Sequence, residues 1–205
     1  MKTRFFLLVG SAFLLTSCVL AEQFTCDITI GKSGTYSVEF KGTMVFYGVF
    51  EEIAENGEVS QETNADIRSF FDDAIKEEPA VRNYEYRNNG RAYIEYFKEI
   101  NDGSSLDLSS SGLPLVISVD DDAFITVTVP ATNRKDKEKL EAFTKQGYRL
   151  DGTIKITSEL PVIDSGGQKV GNKYFLFGPK VISRTVTVNT LLEEDIVVIL
   201  GNAQK

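Results

Sequence analysis

Phe24, Cys26, Ile28 and Ile30 alternate with polar residues, a Gly31-Lys32-Ser33-Gly34 stretch follows, and Tyr36, Val38 and Phe40 alternate again. A period of two puts every second side chain on the same face of a strand, so this stretch demands a hairpin in a sheet with one buried and one wet face. That constrains the fold more than any other feature of the chain. Gly42 interrupts the second strand, as a bulge or bend would. Residues 44–50 are apolar on both faces, the pattern of a central strand covered on both sides.

The period then changes. Ile67, Phe70, Phe71, Ala74 and Ile75 follow i, i+3, i+4, i+7 and i+8, an apolar stripe on a helix. Thr63 or Asn64 can cap its start, and Pro79 closes its end. Asn88-Asn89-Gly90, between strands at 84–87 and 91–97, signals a hairpin because Asn-Gly tolerates positive φ. The serine-rich stretch 104–112 is loop-like, with room for a short strand at 106–108. A second hairpin is expected at 115–119 and 124–129 around Asp120-Asp121-Asp122. A shorter helix follows at 133–146, stopped by Gly147. Strands at 153–157, 174–177, 181–188 and 196–200 complete the series, with breaks at Gly166-Gly167 and Gly178-Pro179. The expected fold is α+β: a mostly antiparallel β-sheet with one long and one short α-helix packed on it.

Lys2 and Arg4 precede an apolar run at 5–15, the build of a signal peptide and too short to span a bilayer. Two cleavage sites compete. Leu15-Thr16-Ser17-Cys18 has the form of a lipobox, ending in the cysteine that becomes acylated; Val19-Leu20-Ala21 suits an ordinary secretory cut before Glu22. The first divides the chain into a signal peptide at 1–17, a short lipid tether at 18–24 and a single α+β domain at 25–205. It gives a lipid-anchored location in the cell envelope, at the outer membrane in a Gram-negative cell. The second gives a soluble periplasmic or secreted protein. Either way Cys26 has no intrachain partner and is expected on the inward face of the first strand.

Removing Lys2 and Arg4 from 22 basic residues leaves 20 against 30 acidic ones, a net charge of −10. Such a surface repels nucleic-acid phosphates, so no nucleic-acid partner is expected. The chain has no histidine, which removes Ser-His-Asp and Cys-His nucleophile systems and the commonest metal ligand. With one thiol left, a tetrahedral zinc site is not expected either. Gly31-Lys32-Ser33 is not a P-loop, because position 26 holds cysteine where that motif needs glycine. The carboxylate doublets, such as Glu51-Glu52 and Asp72-Asp73, do not converge by spacing. Neither an enzyme nor a cofactor is expected.

Two groups could bind a ligand. Arg134, Lys135 and Lys137 crowd the start of the second helix, where the macrodipole disfavours cations. That arrangement suits a bound anion such as a lipid phosphate, and equally a solvated charged face. Tyr84, Tyr86 and Arg91 sit on the Asn-Gly hairpin, where aromatics and arginine can stack a ligand or simply pack across strands.

The segments CDITIGKSGTYSVEFKGTM, NNGRAYIEY and DGTIKITSELPVIDSGGQKVGNKYFLFGP, following an exported leader, resemble in layout the LppM-type envelope lipoproteins and related uncharacterised exported proteins. The resemblance implies a β-rich α+β domain near a membrane, non-catalytic, that binds envelope lipids or glycolipids. Where that family often carries a late-strand tryptophan, this chain offers Phe175 or Phe177, and it lacks the C-terminal membrane helix of some members. No residue roles carry across. The expected function is a non-catalytic envelope lipoprotein anchored through Cys18, whose domain binds a lipid or other amphiphile near the membrane. The alternative is a protein-interaction or envelope-assembly factor cleaved after Ala21. The expected partners are the membrane, through the anchor, and a lipid or an envelope protein.

Overall fold

The computed structural model describes residues 19–109, 113, 115–129, 144–145, 147–149, 151–174, 177–186 and 195–201. Its first hairpin is the one the alternation demands. Strand β1 (Val19–Ile30) pairs antiparallel with β2 (Tyr36–Phe46), and Phe24, Cys26, Ile28, Ile30, Tyr36, Val38 and Phe40 are all buried. β4 (Arg91–Ile100) and β3 (Val81–Tyr86) extend this sheet beyond β2. On the other side of β1 lie β8 (Gly152–Ser158), β11 (Phe177–Val186) and β10 (Val170–Tyr174). The pairing of β1 with β8 is parallel, and every other pairing recorded among the described residues is antiparallel.

A second sheet takes β5 (Leu106–Asp107), β6 (Val116–Val119), β7 (Ile125–Val129), β12 (Ile196–Leu200) and β9 (Val162–Asp164), in that order. It faces the β8–β11 side of the larger sheet. Ile154, Ile156 and Ile182 from one sheet and Val127, Val129, Ile196 and Val198 from the other line a common void of about 10 Å³, room for about one water. The expected single sheet is therefore two, packed face to face. The split depends on β12 joining β7 across the chain and on β8 returning beside β1.

Two helices are described, α1 (Phe50–Asn56) and α2 (Gln61–Lys76). α2 follows its apolar stripe: Ile67 and Phe71 are buried, and Phe71 packs on Tyr84 and Tyr86 at 6.4 and 6.3 Å between ring centroids. Its cap is Ser60 rather than Thr63 or Asn64; the Ser60 hydroxyl accepts from the Thr63 backbone N–H at 3.1 Å. α1 replaces the end of the strand expected over 44–50. The chain leaves the sheet after Phe46 through a 3₁₀ turn at Tyr47–Val49, and the two apolar faces are served by different neighbours: Phe46 meets Phe70 of α2 at 5.4 Å, while Val49 lies under Gly90.

Three other boundaries differ from expectation. Residues 19–24 are no tether but the first half of β1. β11 runs through Gly178-Pro179, where Pro179 precedes the β8 pairing that begins at Lys180 and falls at the break in register with β10 between Asn172 and Tyr174, the kind of place a sheet tolerates proline. A separate strand, β9, lies between β8 and the Gly166-Gly167 turn. Of the expected helix at 133–146 only residues 144 and 145 are described, both helical.

Gly42 is explained by its neighbour rather than by a bulge of its own. It pairs with Phe24, and a Cβ there would lie 2.5 Å from the Phe24 Cβ. On the opposite side, a Cβ on Gly152 would meet the Phe24 ring at 2.4 Å. Phe24 thus fills the space left by two glycines on its two flanking strands.

Candidate functional site

The bulge sits one residue earlier, on β1. Glu22 opposes Thr43 and Phe24 opposes Gly42, so Gln23 is the extra residue, held at φ 44°. An extra residue reverses the side-chain alternation. Ala21 and Phe24 therefore both face the core, and Glu22 turns to the outer face of the large sheet.

There it is buried, at 6% exposure, and paired. Arg91 Nε donates to Glu22 Oε2 at 2.8 Å and Nη2 to Oε1 at 3.2 Å, a two-pronged contact from the first residue of β4. The Arg149 backbone N–H adds a donor to Oε1 at 3.2 Å. The Arg91 guanidinium lies 3.9 Å from the Tyr148 ring centroid, and the Arg149 side chain pairs with Asp151 at 2.7 Å. Val45 and Tyr148 are both buried yet stand apart from the main core cluster. The segment before β8 thus closes a small second core over the outer face, at the end of the sheet where β1 begins. Burial opposes the charge on Arg91, but its hydrogen bonds to Glu22 and the carboxylate's charge outweigh that and raise its pKa. Glu22 is saturated by donors, which suits a clamp on the strand end rather than proton transfer.

The three expected hairpin residues do not form one site. Tyr84 and Tyr86 face α2. The Tyr86 hydroxyl donates to Asn64 Oδ1 at 2.8 Å, while burial and the Asp72 carboxylate push the Tyr84 hydroxyl well above the ordinary phenol range. Arg91 lies on the opposite face of the sheet, committed to Glu22. Tyr84 and Tyr86 pack on Phe71 of α2, and Arg91 packs on Tyr148. Cys18, Arg134, Lys135 and Lys137 lie outside the described residues.

Cys26 is a free thiol, 1% exposed, and burial together with the neighbouring Asp27 charge pushes its pKa up to about 12. That is an inert thiol. At the acidic turn, Asp120 Oδ1 accepts from the Phe124 backbone N–H at 2.9 Å, so this carboxylate caps its own hairpin. No three His, Cys, Asp or Glu residues are grouped as metal ligands among the described residues. No helix among them is long and apolar enough to cross a membrane.

Sequence reading passed over two charged positions. Glu22 carried a signal, an acid one step before the apolar alternation, but its partner stands 69 residues away. Arg184 faces inward beside the inter-sheet void; its Nη1 donates to Gln168 Oε1 at 3.2 Å and its buried Nε has no hydrogen-bond partner.

No family model and no curated protein matches the chain. Among solved structures, the chain is similar to the folded domain of the Mycobacterium tuberculosis protein LppM, determined by NMR. The identity is 9%, the match covers 95% of this chain and 97% of that one, and the TM-score is 0.42.

Proposed function

We propose that this chain is a cell-envelope lipoprotein, anchored through Cys18, whose domain is a non-catalytic binding module held at the membrane surface. The observation that carries the proposal is where β1 begins. Val19, Leu20 and Ala21 pair with Phe46, Val45 and Met44, and Ala21 is buried. A cut in front of Cys18 keeps all three pairs. A cut after Ala21 removes them, uncovers part of Met44 and Val45, and places an ammonium on the residue whose carboxylate holds Arg91. By area, losing one buried and two half-buried apolar side chains costs about 2–3 kcal/mol. A soluble protein starting at Glu22 would forgo a built part of its fold.

The ligand we propose is a lipid or other amphiphile, which a domain at the bilayer surface meets at high local concentration. A protein partner is the second reading. What favours it is that Ile163 of β9 and Val170 and Tyr174 of β10 are exposed on the edge strands of the two sheets. The test uses the full chain with its own leader, expressed in a bacterium fed a clickable fatty acid. The wild type should be labelled and sediment with membranes, and Cys18→Ala should lose both properties. A wild type that is unlabelled and soluble overturns the proposal. A lipid-sized adduct in the native mass spectrum supports the amphiphile reading, and a bare domain whose Tyr174→Ser variant loses a cross-linked neighbour supports the other.

A further inference from the structure

The geometry points to a membrane-facing end of the domain: the end of the large sheet at Val19, Phe46 and Gly90, together with α1, stands at the lipid headgroups, while the Gly31–Gly34 turn points away. This rests on the anchor reading above. If Cys18 carries the acyl chains, its Cα is one peptide step, about 3.8 Å, from that of Val19. Val19 is no loop residue; it is the first residue of β1 and pairs with Phe46. The Phe46 backbone N–H donates to the Gly90 carbonyl at 2.8 Å, which ties the β3–β4 turn to the same end. α1 follows four residues after Phe46, so its exposed Glu51 lies within about 15 Å of Val19 by the rise of a helix and the width of a strand pair. The twelve residues of β1 then carry the chain about 36 Å to the opposite turn. No tether separates the acylated residue from the fold.

The surface chemistry sets the tilt. The outer face of the large sheet carries Thr25, Thr29, Thr43, Thr153 and Thr157 with the ion pairs Lys41–Glu39 and Lys155–Asp27, and its aromatics Tyr93 and Phe97 lie under the Arg87 and Arg82 guanidiniums at 4.7 and 3.7 Å, so charge covers them. The chain's excess of acid repels an anionic leaflet, so the long axis stands off the surface. Glu51, Glu55 and Glu58 are exposed at or next to α1, so this end stays at the headgroups by its covalent link and not by charge.

The test takes the full chain, natively acylated and reconstituted into phosphatidylcholine vesicles with a minority of phosphatidylglycerol and of headgroup-nitroxide lipid. A fluorophore is attached to Glu51→Cys or, separately, to Ser33→Cys; buried Cys26 does not compete for it. Quenching should be severalfold stronger at position 51 than at position 33, and a long Gly-Ser insert between Cys18 and Val19 should erase the difference. The intact mass of the same preparation reports the anchor. An unacylated Cys18 overturns the anchor reading and this inference together. An acylated Cys18 with both labels quenched alike, or neither quenched, overturns this inference alone.

Discussion

Replacing Arg91 with methionine removes the charge and keeps the stem, and its cost can be worked from the contacts. The change leaves Glu22, 6% exposed, with the Arg149 backbone N–H at 3.2 Å as its remaining recorded donor. Stripping one partner from a buried pair costs about 3–5 kcal/mol, because the surviving charge stays out of water. The Arg91 side chain is 28% exposed, so some water can enter, and the lower end of that range, about 3 kcal/mol, is the expectation. Glu22→Gln is milder. It keeps the shape, and the stranded guanidinium keeps the Tyr148 ring, a contact of about 1 kcal/mol, and its share of solvent. The expected loss is about 1–2 kcal/mol, the range for a hydrogen bond to a charged group. The double variant should lose at least about 1 kcal/mol less than the two singles together, since neither charge is then left alone. Urea unfolding of the mature chain, followed by far-ultraviolet circular dichroism, measures all four corners of this cycle. In a chain of this length Arg91→Met should also lower Tm by about 6–12 °C. Single variants of equal cost that simply add, or an Arg91→Met variant within about 0.5 kcal/mol of wild type, would refute the clamp.

Alkaline pH gives a second expectation. Cys26 and Tyr36 both titrate near 12 in the fold, raised mainly by burial from about 9 and 10, so the folded state keeps protons the unfolded chain releases. Their contribution is fully present below pH 9 and is lost as pH climbs from 9 through 12. The urea midpoint should fall over that window, and less steeply in Cys26→Ala; a midpoint flat to pH 11 would contradict it. Gly42→Ala should destabilise by about 2 kcal/mol or more through its collision with Phe24. In thermal melts, Phe24→Ala should cost less on a Gly152→Ala background than alone, because a Cβ at 152 meets the Phe24 ring, whereas a Cβ at 42 meets the Phe24 Cβ that alanine keeps. Ser60→Ala removes the α2 cap and should cost about 1 kcal/mol, with Ser60→Asp restoring most of it.

What the sequence made legible was local. The β1–β2 hairpin, the Asn88–Gly90 turn and the α2 stripe each depend on neighbours within a few residues, and Asn88, Asn89 and Gly90 all adopt the positive φ the turn chemistry demands. What it concealed was non-local. The two-sheet division rests on β8 returning parallel to β1 and β12 finding β7, pairings that no short pattern encodes. At residues 44–50 the apolar run fitted a central strand, and only the positions of Phe70 and Gly90 show why the chain turns out of the sheet instead. Tyr84, Tyr86 and Arg91 shared a hairpin in sequence and divided between two faces in space. Glu22 looked like part of a tether because the Gln23 bulge, which turns it under Tyr148 and Arg149, has no signature of its own.

The start of β1 is where fold and anchor meet, so the N-terminus of the mature protein is the measurement to make. Intact mass spectrometry of the protein extracted from its host's membranes should show a chain beginning at acylated Cys18, with Val19, Leu20 and Ala21 retained in their strand. A mature chain beginning at unmodified Glu22 would contradict the account.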